Sequence, residues 1–322
     1  MSGVKCTNKH LVLVLSLLFL VSNLTGCAGL PFSAKYSVSS FGQSIKTDYN
    51  YPTYASNLCV VNSDIGDFSF SEVVSAGLFD LTRKETLFAQ NVNERIMPAS
   101  LTKVMTAYVA LKYGSLEQVL VAGSDVYVNE SGAQKIGLKE GDRMTLDQAL
   151  HILLIYSAND VANLIASNIG GSKEEFINLM NTEAKAIGAT NSNFENPHGL
   201  TSDNHYVTAY DMYLMFNAAM QYDTFNEIIN TNEYTTSYLD SSGTSKEVTV
   251  SNTNGFLTGK GSAPSGVTVI GGKTGTTNAA GHCLILLARD TSASPYIAVV
   301  MRDTDSGTLY NDMAELLKEI VN

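Results

Sequence analysis

Val267-Thr268-Val269-Ile270-Gly271-Gly272-Lys273-Thr274-Gly275-Thr276-Thr277 is the stretch on which the fold turns. Gly272-Lys273-Thr274 has the ending of a phosphate-binding loop, which would make the chain a nucleotide binder. That motif needs a glycine at position 267, where the chain has Val267; Gly266 is one place off. It also needs a helix after the threonine, whereas Thr276–Gly281 leads to the strand-like run Cys283–Ala288. Both requirements fail. The alternative is a strand, Val267–Ile270, running into a glycine-rich edge. Gly271, Gly272 and Gly275 remove side chains, so another backbone can lie alongside. Such an edge can hold an extended peptide by main-chain hydrogen bonds.

Working outward, Tyr296–Met301 reads as a further strand, and a last helix runs from about Gly307 to Val321. Near the other end, Ser75–Leu81 and Leu87–Gln90 flank the polar turn Thr82-Arg83-Lys84-Glu85, which predicts a hairpin. Between these ends lies a helical block. Leu101–Tyr113 has apolar residues at helical spacing after Pro98. Thr145 with Gln148 is a capping-box pattern opening Leu146–Tyr156, followed by a helix Asp160–Ile169. Ser172 with Glu175 opens another helix, closed by Gly188, and Thr208 with Asp211 opens Met212–Met220. Strands at both termini with helices between them predict one sheet drawn from both ends, α+β in class. Its faces would be covered by helices, some of them forming a separate lobe, with a cleft between.

Two further motifs carry chemistry. In Ser100-Leu101-Thr102-Lys103 the hydroxyl and the amine share a helix face and can meet. Ser100 sits near the helix start, where backbone N–H groups favour a developing oxyanion. In Ser157-Ala158-Asn159 polar groups interrupt an apolar run and need partners. Taken singly, each is also what a helix cap or a helix break looks like.

Together, Ser100/Lys103, Ser157/Asn159 and Lys273-Thr274-Gly275 resemble the S-x-x-K, S-x-N, K-T-G set of the penicillin-recognising serine enzymes. Pro98-Ala99-Ser100, Asn196-Pro197-His198-Gly199-Leu200, Thr208-Ala209-Tyr210-Asp211-Met212 and Lys273-Thr274-Gly275-Thr276-Thr277 with Ala280-Gly281 are similar to the low-molecular-weight D-alanyl-D-alanine carboxypeptidases. The resemblance covers about Ser75 to Val321. It implies the β-lactamase/transpeptidase-like fold, with a five-stranded antiparallel sheet and a helical lobe. The activity it implies is removal of the terminal D-alanine from peptidoglycan stem peptides, inhibited by β-lactams, with no cofactor and no metal. Ser100 would be the nucleophile and Lys103 its base. Burial and the charge of Lys273 would push Lys103 toward neutrality. Ser157 would relay the proton to the leaving amine, and Asn159 would hold a peptide amide. The N–H groups of Ser100 and Thr276 would form the oxyanion hole. Lys273 and Thr274 would bind the terminal carboxylate.

Two departures bear on this. Some members carry an arginine where this chain has Thr253, in Asn252-Thr253-Asn254, which shifts the carboxylate grip onto Lys273, Thr274 and Thr276. Larger members add a β-rich domain and a C-terminal membrane helix; with Asn322 following one acidic helix, neither is expected. Competing activities are a D,D-endopeptidase and a class A-like β-lactamase. For the latter, the nearest candidate for a deacylating Glu is Glu174-Glu175-Phe176-Ile177-Asn178, which reads as a helix terminus. A non-enzymatic alternative is a lipoprotein that binds wall peptides or β-lactams without turnover. Among the histidines, His151 and His198 read as structural, His205 and His282 as solitary.

The N-terminus is an address. Lys5, Lys9 and His10 precede the apolar run Leu11–Val21, too short for the ~20 residues of a spanning helix. Leu24-Thr25-Gly26-Cys27 resembles a bacterial lipobox, predicting a leader over 1–26 and a diacylglyceride on Cys27. Residues 27–57, rich in Ser, Tyr, Gly and Thr, read as a linker to a catalytic domain over 58–322. The expected location is the outer face of the cell membrane, held by lipid. A net charge of −11 without a basic block excludes a nucleic-acid partner. Four cysteines make no disulfide framework, and no spacing suits zinc. With Cys6 in the leader and Cys27 lipidated, Cys59 and Cys283 are the only pair that could bridge, and sequence leaves that open.

Overall fold

The computed structural model describes residues 57–321; the leader, Cys27 and the linker up to residue 56 lie outside them. β1 (Ser75–Asp80) and β2 (Glu85–Gln90) form the expected hairpin. After it come the helix Thr102–Tyr113 and two short strands, β3 (Val119–Val121) and β4 (Arg143–Thr145). Helices Leu146–His151, Asn159–Ile169, Lys173–Ala186, Ala209–Ala219 and Asp223–Ile229 follow. A second hairpin, β5 (Glu233–Leu239) and β6 (Ser245–Ser251), precedes β7 (Thr268–Thr277), β8 (Gly281–Arg289) and β9 (Pro295–Asp303). Ser306–Lys318 is the last helix.

The main sheet has the order β2-β1-β9-β8-β7, antiparallel throughout. The N-terminal hairpin pairs onto β9, so strands from both ends make one sheet, as the sequence predicts. Successive residues of a strand face opposite ways. Leu284, Leu286, Ala298 and Val300 pack with Leu309, Met313 and Leu316 of the last helix. Ile285, Leu287, Ile297 and Val299 pack into the helical lobe with Phe79, Val104 and Met105. Burial on both faces is why these strands read as near-continuous apolar runs.

Thr102–Tyr113 is the centre of the lobe. Every residue from Thr102 to Ala110 is buried, so this helix is covered on all sides. Around it the predicted caps are made. Thr145 and Gln148 close both halves of their box; Ser172 Oγ and Thr208 Oγ1 accept from the N–H groups of Glu175 and Asp211.

Two expectations are corrected and one element is added. The helix expected over Leu146–Tyr156 ends at His151 and widens into one π-turn, Ile152–Tyr156, which hands the chain to Ser157 in the left-handed region, φ 71°. The strand expected over Val267–Ile270 is longer: β7 runs from Thr268 through Lys273-Thr274-Gly275 to Thr277, with one bulge between Val269 and Gly271. There the glycines admit neighbouring backbone, since a Cβ on Gly271 would lie 2.2 Å from Ile229 O and one on Gly272 2.0 Å from Ile285 O. The four-stranded sheet β3-β4-β5-β6 is additional to the predicted architecture. Cys59 and Cys283 are separate, buried free thiols.

Candidate active site

Ser100 lies in a single 3-10 turn, Ala99–Leu101, that opens the central helix. The residue before it, Ala99, is left-handed with φ 47°, a conformation that a Cβ-bearing residue adopts only when its surroundings impose it. That kink lifts the serine to the cleft while keeping Lys103 one turn further along the same helix. Lys103 is fully buried. Its Nζ lies 2.9 Å from Ser100 Oγ, 2.7 Å from Asn159 Oδ1 and 2.7 Å from the His198 carbonyl. Burial first, and the nearby charge of Lys273 second, hold its pKa well below the usual lysine range. A neutral amine has two protons and one lone pair. With the protons on Asn159 and His198, the lone pair faces the serine hydroxyl, which is the arrangement of a general base.

Ser157 and Asn159 reach this point from the π-turn and the helix after it. Ser157 Oγ is buried and has no hydrogen-bond partner, so it is free to take a proton and pass it on. Asn159 spends its Oδ1 on Lys103, leaving its amide N–H groups toward the cleft.

β7 closes the other wall. Gly275 passes so near the nucleophile turn that a Cβ on it would lie 2.9 Å from Ser100 N and 3.0 Å from Leu101 N. As the outermost strand, β7 leaves main-chain groups on its cleft side for an extended ligand. Ser100, Ser157, Asn159, Thr274, Gly275 and Thr276 line one cleft of about 300 Å³. Lys273 does not line it. Its side chain alternates to the lobe face, is 1% exposed, and donates to Thr274 O at 2.8 Å. Burial brings its pKa down to about 7.

The far wall holds residues that sequence reasoning did not assemble. Thr253 Oγ1 meets Thr274 Oγ1 at 2.6 Å, and His282 Nδ1 lies 3.3 Å from Thr276 Oγ1. Ser306, Leu309 and Tyr310 of the last helix complete it. Thr253 stands in the Asn252-Thr253-Asn254 segment already singled out, but His282 and the last-helix residues belong to no motif, so no local signal marked them. His151 is structural, stacked on Tyr234 at 4.2 Å. His205 is buried and His198 half-buried, and desolvation pushes their pKa values down to about 4 and about 3. Glu174 and Glu175 stand exposed in the first turn of Lys173–Ala186, a helix terminus as read.

A serine next to a strained residue, a buried lysine beside it, an unpaired hydroxyl and an open strand edge are the parts used by serine enzymes of the acyl-transfer class. The family described as D-alanyl-D-alanine carboxypeptidase matches residues 72–305. The chain belongs to that family. It is 35% identical over 224 residues to the D-alanyl-D-alanine carboxypeptidase DacF of Bacillus subtilis, covering 68% of this chain and 54% of the relative. To DacC of Escherichia coli it is 31% identical, covering 74% of this chain and 59% of the relative. The chain thus spans little more than half the length of these curated relatives. Among solved structures, the Streptomyces K15 DD-transpeptidase superposes with a TM-score of 0.68 at 27% identity, over 82% of this chain and 98% of that one.

Proposed function

We propose that this chain is a serine D-alanyl-D-alanine carboxypeptidase acting on peptidoglycan stem peptides. The carrying observation is the 2.9 Å approach of a fully buried Lys103 amine to Ser100 Oγ. The peptide lies along β7 as an added strand, with its terminal carboxylate toward Thr274 and Thr276. Ser100 Oγ attacks the carbonyl of the penultimate D-alanine and yields its proton to Lys103. The oxyanion is held by the N–H groups of Ser100 and Thr276. The C–N bond breaks as a proton passes through Ser157 to the leaving amine, and D-alanine departs. Water then cleaves the ester and returns Ser100. Lys273 takes part through its charge, which adds to burial in keeping Lys103 unprotonated.

The strained amide of a penicillin should acylate the same serine. After brief exposure, intact-mass spectrometry should find one long-lived adduct on Ser100, absent in Ser100→Ala. Lys103→Ala should slow its formation by at least the ~10²-fold typical of losing a general base. Release of D-alanine from a D-Ala-D-Ala peptide should depend on both residues. An adduct mapped to Ser157 would refute the role assignment, and one hydrolysed within seconds would make the chain a β-lactamase. Lipid attachment at Cys27 and an extracytoplasmic membrane location are part of the same proposal, supported by Leu24-Thr25-Gly26-Cys27.

A further inference from the structure

The conformation that exposes Ser100 is held from beneath by a chain of hydrogen bonds. A trans peptide unit is planar, with its C=O and N–H pointing opposite ways. Whatever fixes the Ala99 carbonyl therefore fixes the direction of the Ser100 N–H, one of the two oxyanion donors. The Ala99 carbonyl accepts from Thr102 Oγ1 at 2.9 Å and from the Thr102 N–H. A threonine hydroxyl can rotate, so this bond alone decides little. Its rotation is set by His205, whose Nε2 lies 2.9 Å from Thr102 Oγ1. The other ring nitrogen, Nδ1, accepts from the Glu195 N–H at 3.2 Å. An imidazole that accepts at Nδ1 carries its proton on Nε2. His205 must then donate to Thr102, and Thr102 must send its own proton to Ala99. The direction of every bond follows from a backbone N–H that cannot reverse.

The same loop seals the carbonyl from the other side. Gly199, with φ 89°, lies so close that a Cβ would stand 1.8 Å from Ala99 O, which no side chain could survive. One residue earlier, the His198 carbonyl accepts a hydrogen bond from Lys103 Nζ, and Pro197 O accepts from Thr106 Oγ1 at 2.6 Å. The segment Glu195–His205 thus grips the nucleophile helix at its base, at its strained turn and one turn beyond.

We infer that His205 is a positioning residue which, through Thr102, orients the Ala99–Ser100 peptide so that the Ser100 N–H faces the reacting carbonyl. It touches no substrate: it is 2% exposed and lies outside the cleft lining. It packs edge-on against Phe194 at 5.6 Å, and burial keeps it neutral, so the single tautomer that the relay needs persists at neutral pH. This rests on the acyl-enzyme reading above and adds the device that holds its oxyanion donor.

The test compares the full chain with His205→Phe, which keeps a ring against Phe194, Thr102→Val, which keeps the shape and loses the hydroxyl, and Thr102→Ser, which keeps the hydroxyl. Each is measured for kcat and KM on a D-Ala-D-Ala peptide and for affinity toward a boronic acid, which forms a tetrahedral adduct on Ser100 with an oxygen in the oxyanion position. His205→Phe and Thr102→Val should each lower kcat roughly tenfold, part of the ~10²–10³ that losing an oxyanion donor costs, with KM little changed. Boronate affinity should fall by the same factor, and Thr102→Ser should recover most of both. The double variant His205→Phe with Thr102→Val should be no worse than the poorer single, because both break one relay. Losses that multiply, boronate affinity that stays put, or kcat that holds while only the melting temperature falls would each overturn the inference. Wild-type protein that forms no penicillin adduct would instead overturn the catalytic reading itself.

Discussion

Lys103 faces three oxygens, and only its neutral form leaves a lone pair for the serine. Burial does most of this, and the charge of Lys273 adds to it. Removing that charge lets the Lys103 pKa rise, so Lys273→Met should move the acid limb of the pH profile for penicillin acylation to higher pH. Activity at neutral pH should fall and return on raising the pH. An unmoved limb would mean that Lys273 acts on substrate alone. The same variant carries a stability signature. The folded pKa of Lys273, about 7, lies below its ordinary 10.5, so folding favours the neutral amine. The resulting cost is absent above about 10.5, grows as pH falls, and is complete below about 7. Stability from this group thus rises with pH between those values. Lys273→Met should flatten that slope and raise the neutral-pH melting temperature, as often follows when a functional charge leaves a core.

At the scale of elements, the site depends on how closely β7 approaches the nucleophile turn. Gly275→Ala would set a methyl group 2.9 Å from Ser100 N and 3.0 Å from Pro98 O, both backbone atoms that cannot step aside cheaply. The strand edge should be displaced from the serine, with overpacking costing about 1–3 kcal/mol of stability. Acylation should slow by more than that stability loss accounts for at temperatures where the protein stays folded. Stopped-flow acylation alongside thermal melting measures both, and unchanged acylation would show that β7 need not lie this close. The π-turn Ile152–Tyr156 is the complementary element, since the wider turn rotates Ser157 into a cleft that a regular helix would have carried it past.

For the whole molecule, the role we propose for the N-terminal region is position rather than chemistry. If Cys27 carries lipid, Cys27→Ala in a bacterial host should shift the chain from the membrane fraction to an unprocessed or released form, and labelling with palmitate should disappear. Equal labelling in the mutant would sink the anchor. The catalytic body itself needs both ends of the described chain. β1 lies between β2 and β9, with Ala76 opposite Val300 and Leu78 opposite Ala298. The last helix supplies Leu309 and Tyr310 to the cleft as well as Met313 and Leu316 to the core.

Much of this was legible in the residues themselves. Ser100 and Lys103 meet because helical spacing brings them together, the caps at Thr145, Ser172 and Thr208 are local pairs, and the sheet strands announce themselves because both faces are buried. β5 and β6 went unread because alternate residues such as Glu233, Thr235, Ser237 and Glu247 face solvent, which leaves no apolar run. Lys273 shows the limit most clearly. Sequence names the residue and its strand, but the face it occupies follows from pairing Thr274 with Leu284 and Lys273 with Ile285, a register set by strands elsewhere in the chain. The His205–Thr102–Ala99 relay is equally silent in sequence, since its histidine lies 103 positions from the hydroxyl it orients. Local order therefore marked the groups proposed to do chemistry. Tertiary packing alone decided which of them face the cleft, which are buried behind it, and in what state of protonation, because burial and register depend on the whole folded chain.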